Sequence, residues 1–598
     1  MLLGSRWRAL LPSSAILLAA CGQEATPRPD PFPTSSGSST SATSSSSGGG
    51  EGGAGGQGGA AQSSSGPGGA GGQGGAGGQG GATSTTSTTS TTSTTSTTST
   101  TSTTSTTSST GAGGSNPCSG GGGAPPLLIK QGDPDKLLLK GMIVTPDVAF
   151  AGEVLVIGDT ISCAAASCAA AAGAATASVV DTQGIIFPGL IDSHNHILFD
   201  IFDESDWAPT QSYTNHNQWT SSPRYGALVD AKQWLNGELD VPGPNGVLSA
   251  DLGCELDKYG EMKGLIAGTT SILGSATPGN KICYGSLSRT IDQGPNGLPD
   301  DKIQAATLFP STSAADGVCN NFSSGKTEAY VIHIAEGIDA TAKKEFATLS
   351  TVTTTDGCLL GAKTTIVHGA ALGDVELGQM AAAGMSLIWS PQSNVFLYGA
   401  GTTLTATANI PLAMSKGINI ALAPDWSLGG SQNILDELRF ADRVDNEAWG
   451  DQISPQQLVK MVTINAAEAL GLETVLGSIT AGKKADLMII GGDTAKPYEA
   501  LLAASPADVR LVLVAGVPLY GDKVLQPIGP ASPGCEDLDI CCRPKFACVA
   551  TASGTATNKL GQTLGEIQSA LSTNLTQYDA LDLSQWDFAP LAPLVKCP

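Results

Sequence analysis

The apolar stretch Phe187-Pro-Gly-Leu-Ile-Asp-Ser-His-Asn-His196 ends in two histidines that are separated by one residue. Side chains alternate between the two faces of a β-strand, so His194 and His196 point in the same direction, as two ligands of one metal ion must. At the C-terminal end of a strand in a parallel barrel, such a pair faces the catalytic mouth. The stretch therefore predicts the first strand of a barrel and part of a metal site.

Three further side chains that can bind a metal ion or a proton follow β-rich runs. His333, His368 and Asp425 each stand near the end of a separate run. The chain contains only five histidines, and four of them occupy such positions. Because the carboxyl ends of the strands meet at one end of a barrel, we expect these side chains to converge on a single site.

β-rich segments alternate with helical patterns across residues 185–473, which is typical of a parallel sheet closed by helices. An eighth strand is expected between Lys281 and Thr290, in addition to seven that can be placed directly. The predicted fold class is α/β, a (β/α)8 barrel of the TIM type. The seven strands are Ile185 to Asp192, Thr269 to Leu273, Gln304 to Leu308, Ala329 to Ile334, Thr364 to Val367, Ser386 to Trp389 and Asn419 to Ala423.

Glycine-bounded β-rich segments flank the barrel on both sides. One pair lies in residues 127–184 and the other in residues 474–529. We expect the two pairs to combine into one small composite β domain, a sandwich built from the N- and C-terminal flanks.

The N-terminus has the pattern of a secretory signal peptide, in which basic residues precede an apolar stretch that is too short to span a bilayer. The stretch ends in Leu18-Ala-Ala-Cys21, which resembles the bacterial lipobox. Residues 1–20 are therefore predicted as a lipoprotein signal peptide and Cys21 as the lipidation site. The alternative is an ordinary signal peptide with a chance cysteine. Gly22 after the cysteine favours the outer membrane or cell surface as the place of anchoring.

Residues 21–126 consist mainly of Gly, Ser, Thr, Ala and Gln in short repeats. This composition has no apolar periodicity and cannot bury a core, so the segment is predicted to be a disordered tether. Its r.m.s. reach would be roughly 50 to 60 Å, which would hold a catalytic domain away from the membrane surface.

The charge balance bears on possible partners. The formal net charge is -23, from 53 acidic and 30 basic residues. Such a molecule repels a phosphate backbone, so nucleic acid is not an expected partner. The expected partners are the membrane, through the lipid anchor, and a small-molecule substrate.

The chain has 13 cysteines, and an even number remains once Cys21 is set aside. In an exported protein this predicts disulfides. Cys163 and Cys168 are close enough to close a small loop, and five cysteines crowd the tail, residues 530–598. The tail is predicted to pack on the barrel as a disulfide-tied cap. A zinc knuckle is the alternative, but no histidine accompanies these cysteines.

Several motifs, taken in order from Leu138 to Gly521, resemble those of the amidohydrolase superfamily. The spacing of His333 and Glu336 is similar to that in its deaminase and chlorohydrolase branch. The motifs are Pro188-Gly-Leu-Ile-Asp-Ser-His-Asn-His196, His333-Ile-Ala-Glu336, Ser390-Pro-Gln-Ser-Asn394, the strand before Asp425, Ala466-Ala-Glu-Ala-Leu-Gly471 and Leu476-Gly-Ser-Ile-Thr-Ala-Gly-Lys-Lys-Ala-Asp-Leu487.

The resemblance implies one divalent metal ion, Zn2+ before Fe2+, and a ligand set of His194, His196, His333 and Asp425. A divalent ion lowers the pKa of a water that it binds, which makes the water a nucleophile. Glu336 would carry a proton to the leaving group, and His368 would polarise the developing oxyanion or orient the water. Asp425 would act both as ligand and as proton acceptor. The implied activity is hydrolysis of a non-peptide carbon–nitrogen bond in a small organic molecule, by deamination or by opening of a cyclic amide.

Other interpretations stay open from the sequence. A two-metal site bridged by a carboxylated lysine would need Lys281 or Lys302, and neither has a convincing position at a strand end. The same metal chemistry would also serve hydrolysis of carbon–halogen or phosphoester bonds, and the barrel could belong to a non-catalytic surface binding protein. Asn394 and Trp389 are expected to line the substrate pocket. His216 is interpreted as a solvated loop histidine, with a lid residue as the alternative.

Overall fold

The computed structural model describes residues 124–276, 279, 281–294, 296–298, 302–307, 309–354, 357–554 and 558–597. The predicted signal peptide, Cys21 and nearly all of the predicted tether lie outside the described residues. The described part combines a barrel of parallel strands and helices with one large β-sheet. It contains no helix long and apolar enough to cross a bilayer.

Eight short parallel strands form the barrel within the described residues, so the predicted fold class is confirmed. They lie in the spatial order β10-β9-β6-β15-β14-β13-β12-β11, and β6 and β15 are joined by a parallel bridge between Asn195 and Asp425. The barrel strands are β6 Leu190–Asp192, β9 Thr269–Ile272, β10 Arg289–Thr290, β11 Ile303–Ala306, β12 Ala329–Ile334, β13 Thr364–His368, β14 Ser386–Trp389 and β15 Ile420–Leu422.

The interior of the barrel is a packed apolar layer. One buried side chain comes from, or directly after, each of the eight strands: Ile191, Leu273, Ile291, Ala305, Val331, Val367, Ile388 and Ala421. Alanines and leucines of the segment that follows the last strand pack against the same layer. The centre of the barrel is therefore a filled core, and a site can form only at one of its ends.

Helices surround and connect the barrel strands. Their starts follow ordinary capping rules: for example, the side chain of Asp339 accepts hydrogen bonds from two backbone N–H groups of α5. The helices are α1 His216–Trp219, α2 Pro223–Leu235, α3 Gly253–Ile266, α4 Thr312–Ser324, α5 Ala340–Leu349, α6 Asp374–Ala383, α7 Pro391–Tyr398, α8 Ile410–Ser415, α9 Ile434–Val444, α10 Pro455–Met461, α11 Ile464–Ala469, α12 Pro497–Ala503 and α13 Leu564–Asp579.

Both flanks of the barrel contribute to one ten-stranded sheet, as predicted for the composite β domain, but two of its strands, β19 and β20, come from residues 530–598, which were predicted only as a cap on the barrel. The two flanks meet where β5 pairs antiparallel with β16. A small separate hairpin is formed by β7 Val241–Gly243 and β8 Gly246–Leu248. The strands of the large sheet are β1 Leu127–Lys130, β2 Asp133–Val144, β3 Ala149–Ile157, β4 Thr160–Ala165, β5 Ala177–Pro188, β16 Leu487–Ile490, β17 Val509–Val514, β18 Val517–Asp522, β19 Glu536–Ile540 and β20 Arg543–Ala547.

The first predicted barrel strand is divided in the structure. Its first half, Ile185 to Pro188, ends β5 in the large sheet, and only Leu190–Asp192 belongs to the barrel. Gly189 lies at the division, where a Cβ atom would approach the Thr270 hydroxyl oxygen to 2.2 Å. A glycine is needed there because the two sheets approach each other closely. The apolar run is continuous in sequence because both halves are buried.

The eighth strand lies within the predicted interval, but it is only two residues long, Arg289–Thr290. It pairs in parallel with β9. A two-residue strand leaves no periodic pattern in the sequence, which explains why its bounds could not be predicted.

Five disulfides join described residues: Cys163–Cys168, Cys254–Cys283, Cys319–Cys358, Cys535–Cys548 and Cys541–Cys597. The tail packs on barrel helices, since Tyr578 of α13 contacts Trp234 of α2 with ring centroids 5.3 Å apart. The Tyr259 hydroxyl of α3 also donates to the carbonyl oxygen of Ala592, at 2.5 Å.

Candidate metal centre and active site

The first and last barrel strands meet at the candidate site. The backbone N–H of His196 donates to the carbonyl oxygen of Asp425 at 2.7 Å, and that of Asp425 donates to the carbonyl oxygen of His194 at 3.2 Å. The backbones of Asp425 and His368 are left-handed, with φ of 73° and 69°. Such conformations are strained for residues other than glycine and persist only where neighbouring contacts hold them, which is typical of functional sites.

Four buried side chains converge at this end of the barrel, and each offers an atom that can bind a metal. These atoms all lie within 4.8 Å of one another. The Nε2 atoms of His194 and His196 lie 2.9 Å and 3.4 Å from Oδ1 of Asp425. The set is His194, His196, His333 and Asp425, which is the ligand set that the sequence predicted.

The hydrogen bonds and protonation of these residues fit a divalent metal ion. His333 Nδ1 lies 3.3 Å from the carbonyl oxygen of Ala306, so it can donate there, while the buried Nε2 has no hydrogen-bond partner among the described residues. Burial lowers the pKa of His194 to about 3 and that of His333 to about 4. Neutral imidazoles oriented by an outer hydrogen bond, together with a carboxylate, are characteristic ligands of zinc and similar ions.

Asp425 is held from its other side. The Ser393 hydroxyl donates to Oδ2 of Asp425 at 2.5 Å, so Oδ1 remains the oxygen that faces the histidines. Burial raises the pKa of Asp425. A carboxyl group with a raised pKa is suited to accept and return a proton during a reaction.

Glu336 and His368 stand beside the metal ligands. The Tyr398 hydroxyl donates to Oε1 of Glu336 at 2.7 Å, and His368 Nε2 lies 4.0 Å from Oε2 of the same carboxylate. Burial is the largest cause that lowers the pKa of His368, which is therefore a neutral imidazole near pH 7. The structure thus brings all six predicted metal-site and catalytic residues into one region.

A cavity of about 90 Å³ lies over the ligand set. Two aromatic rings, Trp219 and Trp426, form adjoining walls, with ring centroids 5.5 Å apart. The described residues that line the cavity include no lysine or arginine, and they are His196, His216, Asn217, Trp219, Thr220, Thr307, His333, Glu336, His368, Asp425 and Trp426.

The structure places Asn394 and Trp389 differently from the sequence prediction. Neither is among the described residues that line the cavity. Asn394 is fully buried behind His368, where its Nδ2 lies 3.0 Å from His368 Nδ1. The reason is that α7 begins at Pro391, directly after the strand, so Asn394 lies in the first turn of a helix and not on a loop over the pocket.

His216 is a site residue that the sequence analysis interpreted as a solvated loop histidine. Its Nδ1 lies 3.4 Å from Oε2 of Glu336, and its Nε2 lies 3.3 Å from Oε1 of Glu345. It belongs to residues 203–222, which we call the strap. The sequence did contain a signal for this role: His216 lies in a loop rich in Tyr, Asn, Gln and Trp, and a lid residue was the alternative interpretation.

The strap is fastened beside the cavity by contacts to two other segments. The backbone N–H of Tyr213 donates to the carbonyl oxygen of Leu397, and Asn215 Nδ2 donates to Asp339 Oδ2 at 2.6 Å. The Trp219 indole N–H donates to the hydroxyl of Tyr398 at 3.1 Å. These contacts bring His216, Asn217, Trp219 and Thr220 to the cavity.

A two-metal site would need a bridging lysine beside the ligand set, and neither candidate lysine lies there among the described residues. Lys281 pairs with Asp251 at 2.9 Å and is not among the described residues that line the cavity. Lys302 precedes β11, which places it at the opposite end of the barrel from the site, and the residue that follows β11 and lines the cavity is Thr307.

Comparison with known proteins agrees with the metal-dependent site that the geometry indicates. The model of the amidohydrolase family matches residues 325–519. A 5-methylthioadenosine/S-adenosylhomocysteine deaminase from Symbiobacterium thermophilum is 26% identical over 427 residues, which cover 65% of this chain and 94% of that protein. A 5'-deoxyadenosine deaminase from Methanothermobacter thermautotrophicus is 24% identical over 391 residues, which cover 58% of this chain and 85% of that protein.

The chain belongs to the amidohydrolase superfamily. A solved structure of a triazine hydrolase variant has the same fold, with a TM-score of 0.50, 16% identity, and coverage of 74% of this chain and 99% of that chain. The match to the deaminase and chlorohydrolase branch, first indicated by His333 and Glu336, is upheld by these relatives. This member of the amidohydrolase superfamily is a metal-dependent hydrolase that acts on carbon–nitrogen bonds other than peptide bonds.

Proposed function

We propose that the chain is a zinc-dependent deaminase that replaces the exocyclic amino group of a small, planar heterocycle by oxygen. The observation that carries the proposal is the position of Glu336 and His368 beside the four-ligand set, in one cavity with two tryptophan walls. The deaminase relatives support it, because their named substrates are adenine nucleosides and their derivatives. The absence of lysine and arginine among the described lining residues favours a substrate that is uncharged at its reacting end.

The ligand set would supply an activated water. His194, His196, His333 and Asp425 would hold a zinc ion, and such an ion would lower the pKa of water in the cavity towards neutrality. Three neutral nitrogens and one carboxylate oxygen are a donor set that suits zinc better than calcium or magnesium, which prefer oxygen ligands.

Glu336 would move the protons of the reaction. Its Oε1 is held by Tyr398, so Oε2 is the atom that can take a proton from water and deliver it to the heterocycle. The balance is complete without a further reactant: water gives its oxygen to the ring carbon and its two protons to nitrogen atoms, and ammonia leaves. Asp425 would hold the second proton in transit, because burial raises its pKa.

The test is ammonia release by the zinc-loaded protein from 5'-methylthioadenosine, S-adenosylhomocysteine, 5'-deoxyadenosine and guanine. We expect at least one to be deaminated, and we expect Glu336→Gln to lower kcat by about a thousandfold without loss of zinc. The matched control is Glu328→Gln, which removes an exposed carboxylate at the start of the same strand and should leave kcat unchanged.

Two results would overturn the proposal. One is a Glu336→Gln protein that turns over within threefold of wild type with its zinc retained. The other is a fully zinc-loaded protein that releases no ammonia from any amino-heterocycle. Ring opening of a cyclic amide, or chloride release from a chlorotriazine, would then assign the same site to the corresponding alternative.

We also propose that the chain is exported and lipid-anchored in the bacterial cell envelope through Cys21. The lipobox resemblance and the disulfides between described residues support this, because disulfides persist in oxidising compartments. Metabolic labelling with palmitate tests it: the wild-type chain should be labelled and sediment with membranes, and Cys21→Ala should lose both properties. Equal labelling of the two proteins would contradict the anchor.

A further inference from the structure

Four buried polar side chains form a single hydrogen-bonded row behind the cavity. Trp389 Nε1 lies 2.8 Å from Thr407 Oγ1, Thr407 Oγ1 lies 3.0 Å from Asn394 Oδ1, and Asn394 Nδ2 lies 3.0 Å from His368 Nδ1. We call these residues the polar row. All four are buried, and Trp389 and Asn394 are completely so. Hydrogen bonds inside such a row have no water to exchange with, so their donors and acceptors must match along its length.

The indole at one end fixes the direction of the row. An indole N–H can only donate, so Thr407 Oγ1 accepts from Trp389. The hydroxyl proton of Thr407 then needs an acceptor, and Asn394 Oδ1 is the one that the described residues provide. The amide of Asn394 is therefore oriented with its oxygen towards Thr407 and its nitrogen towards His368.

The reverse orientation leaves a buried proton without an acceptor. If the amide were turned over, both the indole and the amide nitrogen would donate to Thr407 Oγ1. The Thr407 hydroxyl would then have no acceptor in its surroundings among the described residues. A buried donor without a partner is disfavoured, so the orientation that satisfies every group is the stable one.

The amide nitrogen in turn fixes the proton of His368. Because Asn394 Nδ2 can only donate, His368 Nδ1 must carry the lone pair, and the single proton of the neutral imidazole is on Nε2. This is the nitrogen that faces Glu336, 4.0 Å from its Oε2, and His368 also lines the cavity. His368 thus presents a donor, and not a lone pair, to whatever occupies the cavity.

We propose that Trp389, Thr407 and Asn394 are positioning residues that hold His368 as the Nε2–H tautomer. His368 then serves as a hydrogen-bond donor to the oxygen that develops negative charge and cannot act as a base through Nε2. Of the two roles that the sequence left open for His368, the polar row selects stabilisation of the oxyanion. The catalytic part of this inference rests on the proposed function, whereas the tautomer itself does not.

The tautomer can be measured directly by 15N magnetic resonance of zinc-loaded protein labelled only at histidine. The chain has five histidines, so the two ring signals of His368 can be assigned by their loss in His368→Gln. We expect Nε2 to give the signal of a protonated ring nitrogen and Nδ1 that of a bare one. A protonated Nδ1 with a bare Nε2 in the wild-type protein would overturn the proposal.

A matched pair of substitutions at Thr407 tests the row itself. Thr407→Val keeps the shape but removes the hydroxyl, so Asn394 is free to turn and the His368 signals should become a mixture of both tautomers. Thr407→Ser keeps the hydroxyl and should retain the wild-type spectrum. We expect kcat to fall about fivefold in Thr407→Val, the size of one lost hydrogen bond, with KM unchanged and with recovery in Thr407→Ser.

Asn394→Asp should move the proton of His368, because a carboxylate can only accept from Nδ1. We expect the Nδ1 signal of that variant to become the protonated one. An unchanged His368 spectrum in both Asn394→Asp and Thr407→Val would refute the row as the device that sets the tautomer. If the protein deaminated none of the compounds offered, these spectra would still decide the tautomer, so the two proposals can fail separately.

Discussion

The floor of the cavity and the strap beside it are built in different ways. The floor consists of the four candidate metal ligands, and no more than 8% of any of them is exposed. They are fixed by the barrel, since its first and last strands exchange backbone hydrogen bonds there. The strap is a long connection whose His216 has 25% of its side chain exposed and which is fastened by contacts to Asp339, Leu397 and Tyr398.

This difference separates chemistry from recognition. Every residue of the floor stands at or just after the end of a strand whose other residues form the packed core, so its position is fixed by the barrel. The strap contributes a histidine and a tryptophan to the same cavity, yet it contributes no strand to the barrel. We therefore expect changes in the floor to abolish turnover and changes in the strap to alter affinity for the substrate.

The largest effect is expected from the floor. His194→Ala should lose the proposed metal ion and lower kcat/KM by more than about a thousandfold, because it removes one of the three nitrogen atoms of the ligand set. Zinc content per chain and kcat/KM are the measurements. His216→Ala is the control from the strap, and it should keep its zinc. Retention of zinc by His194→Ala, or its loss in His216→Ala, would contradict the claim that the floor binds the metal and the strap does not.

A smaller effect is expected from the strap. Trp219→Ala removes one aromatic wall and its hydrogen bond to Tyr398, so KM should rise by about tenfold to fiftyfold with kcat changed less. Trp219→Phe keeps the ring and should lie between this variant and wild type. The measurement is the separate determination of kcat and KM. A fall in kcat with KM unchanged would show that the strap takes part in the chemical step.

The smallest effect is expected where the strap meets α5. Burial is the largest cause that raises the pKa of Glu345 from its ordinary 4.5 to about 7. The folded protein thus holds a proton that the unfolded chain releases near pH 4.5, so stability should fall as the pH rises from 4.5 to 7 and change little above that range.

Glu345→Gln removes this titration. Its Tm, relative to that of wild type, should increase by a few degrees between pH 4.5 and pH 7, which corresponds to a free energy on the order of 2 kcal/mol. Parallel thermal unfolding of the two proteins at several pH values measures it. A Tm difference that did not depend on pH would show that Glu345 is ionised in the folded protein across this range.

Much of the fold and of the floor could be predicted because both depend on strand ends. A β-rich run followed by His or Asp is a local pattern, and parallel strands bring such ends together whatever lies between them. His194, His333 and Asp425 could therefore be assigned to one site from sequence. The division of the first strand at Gly189 could not, because two buried strands joined by a glycine have the same pattern as one longer strand.

The strap and the polar row were beyond the reach of local patterns. The path of residues 203–222 depends on contacts with Asp339 and Leu397, which lie more than a hundred residues away. Asn394 was expected in the pocket because it follows a strand end. It lies behind His368 because a helix begins directly at Pro391. Both outcomes are set by tertiary contacts, for which a single sequence carries no period or motif.

The bridge between the first and last barrel strands has a consequence for how the protein matures. His194 and Asp425 are 231 residues apart in the chain, and they meet only when β15, the last barrel strand in the chain, has docked beside the first. A complete ligand set thus exists only in a finished barrel, and zinc uptake by a refolding sample would report ring closure directly. A metal ion bound at that stage would stabilise the pairing of the first and last barrel strands, because separation of these strands would also require release of the ion.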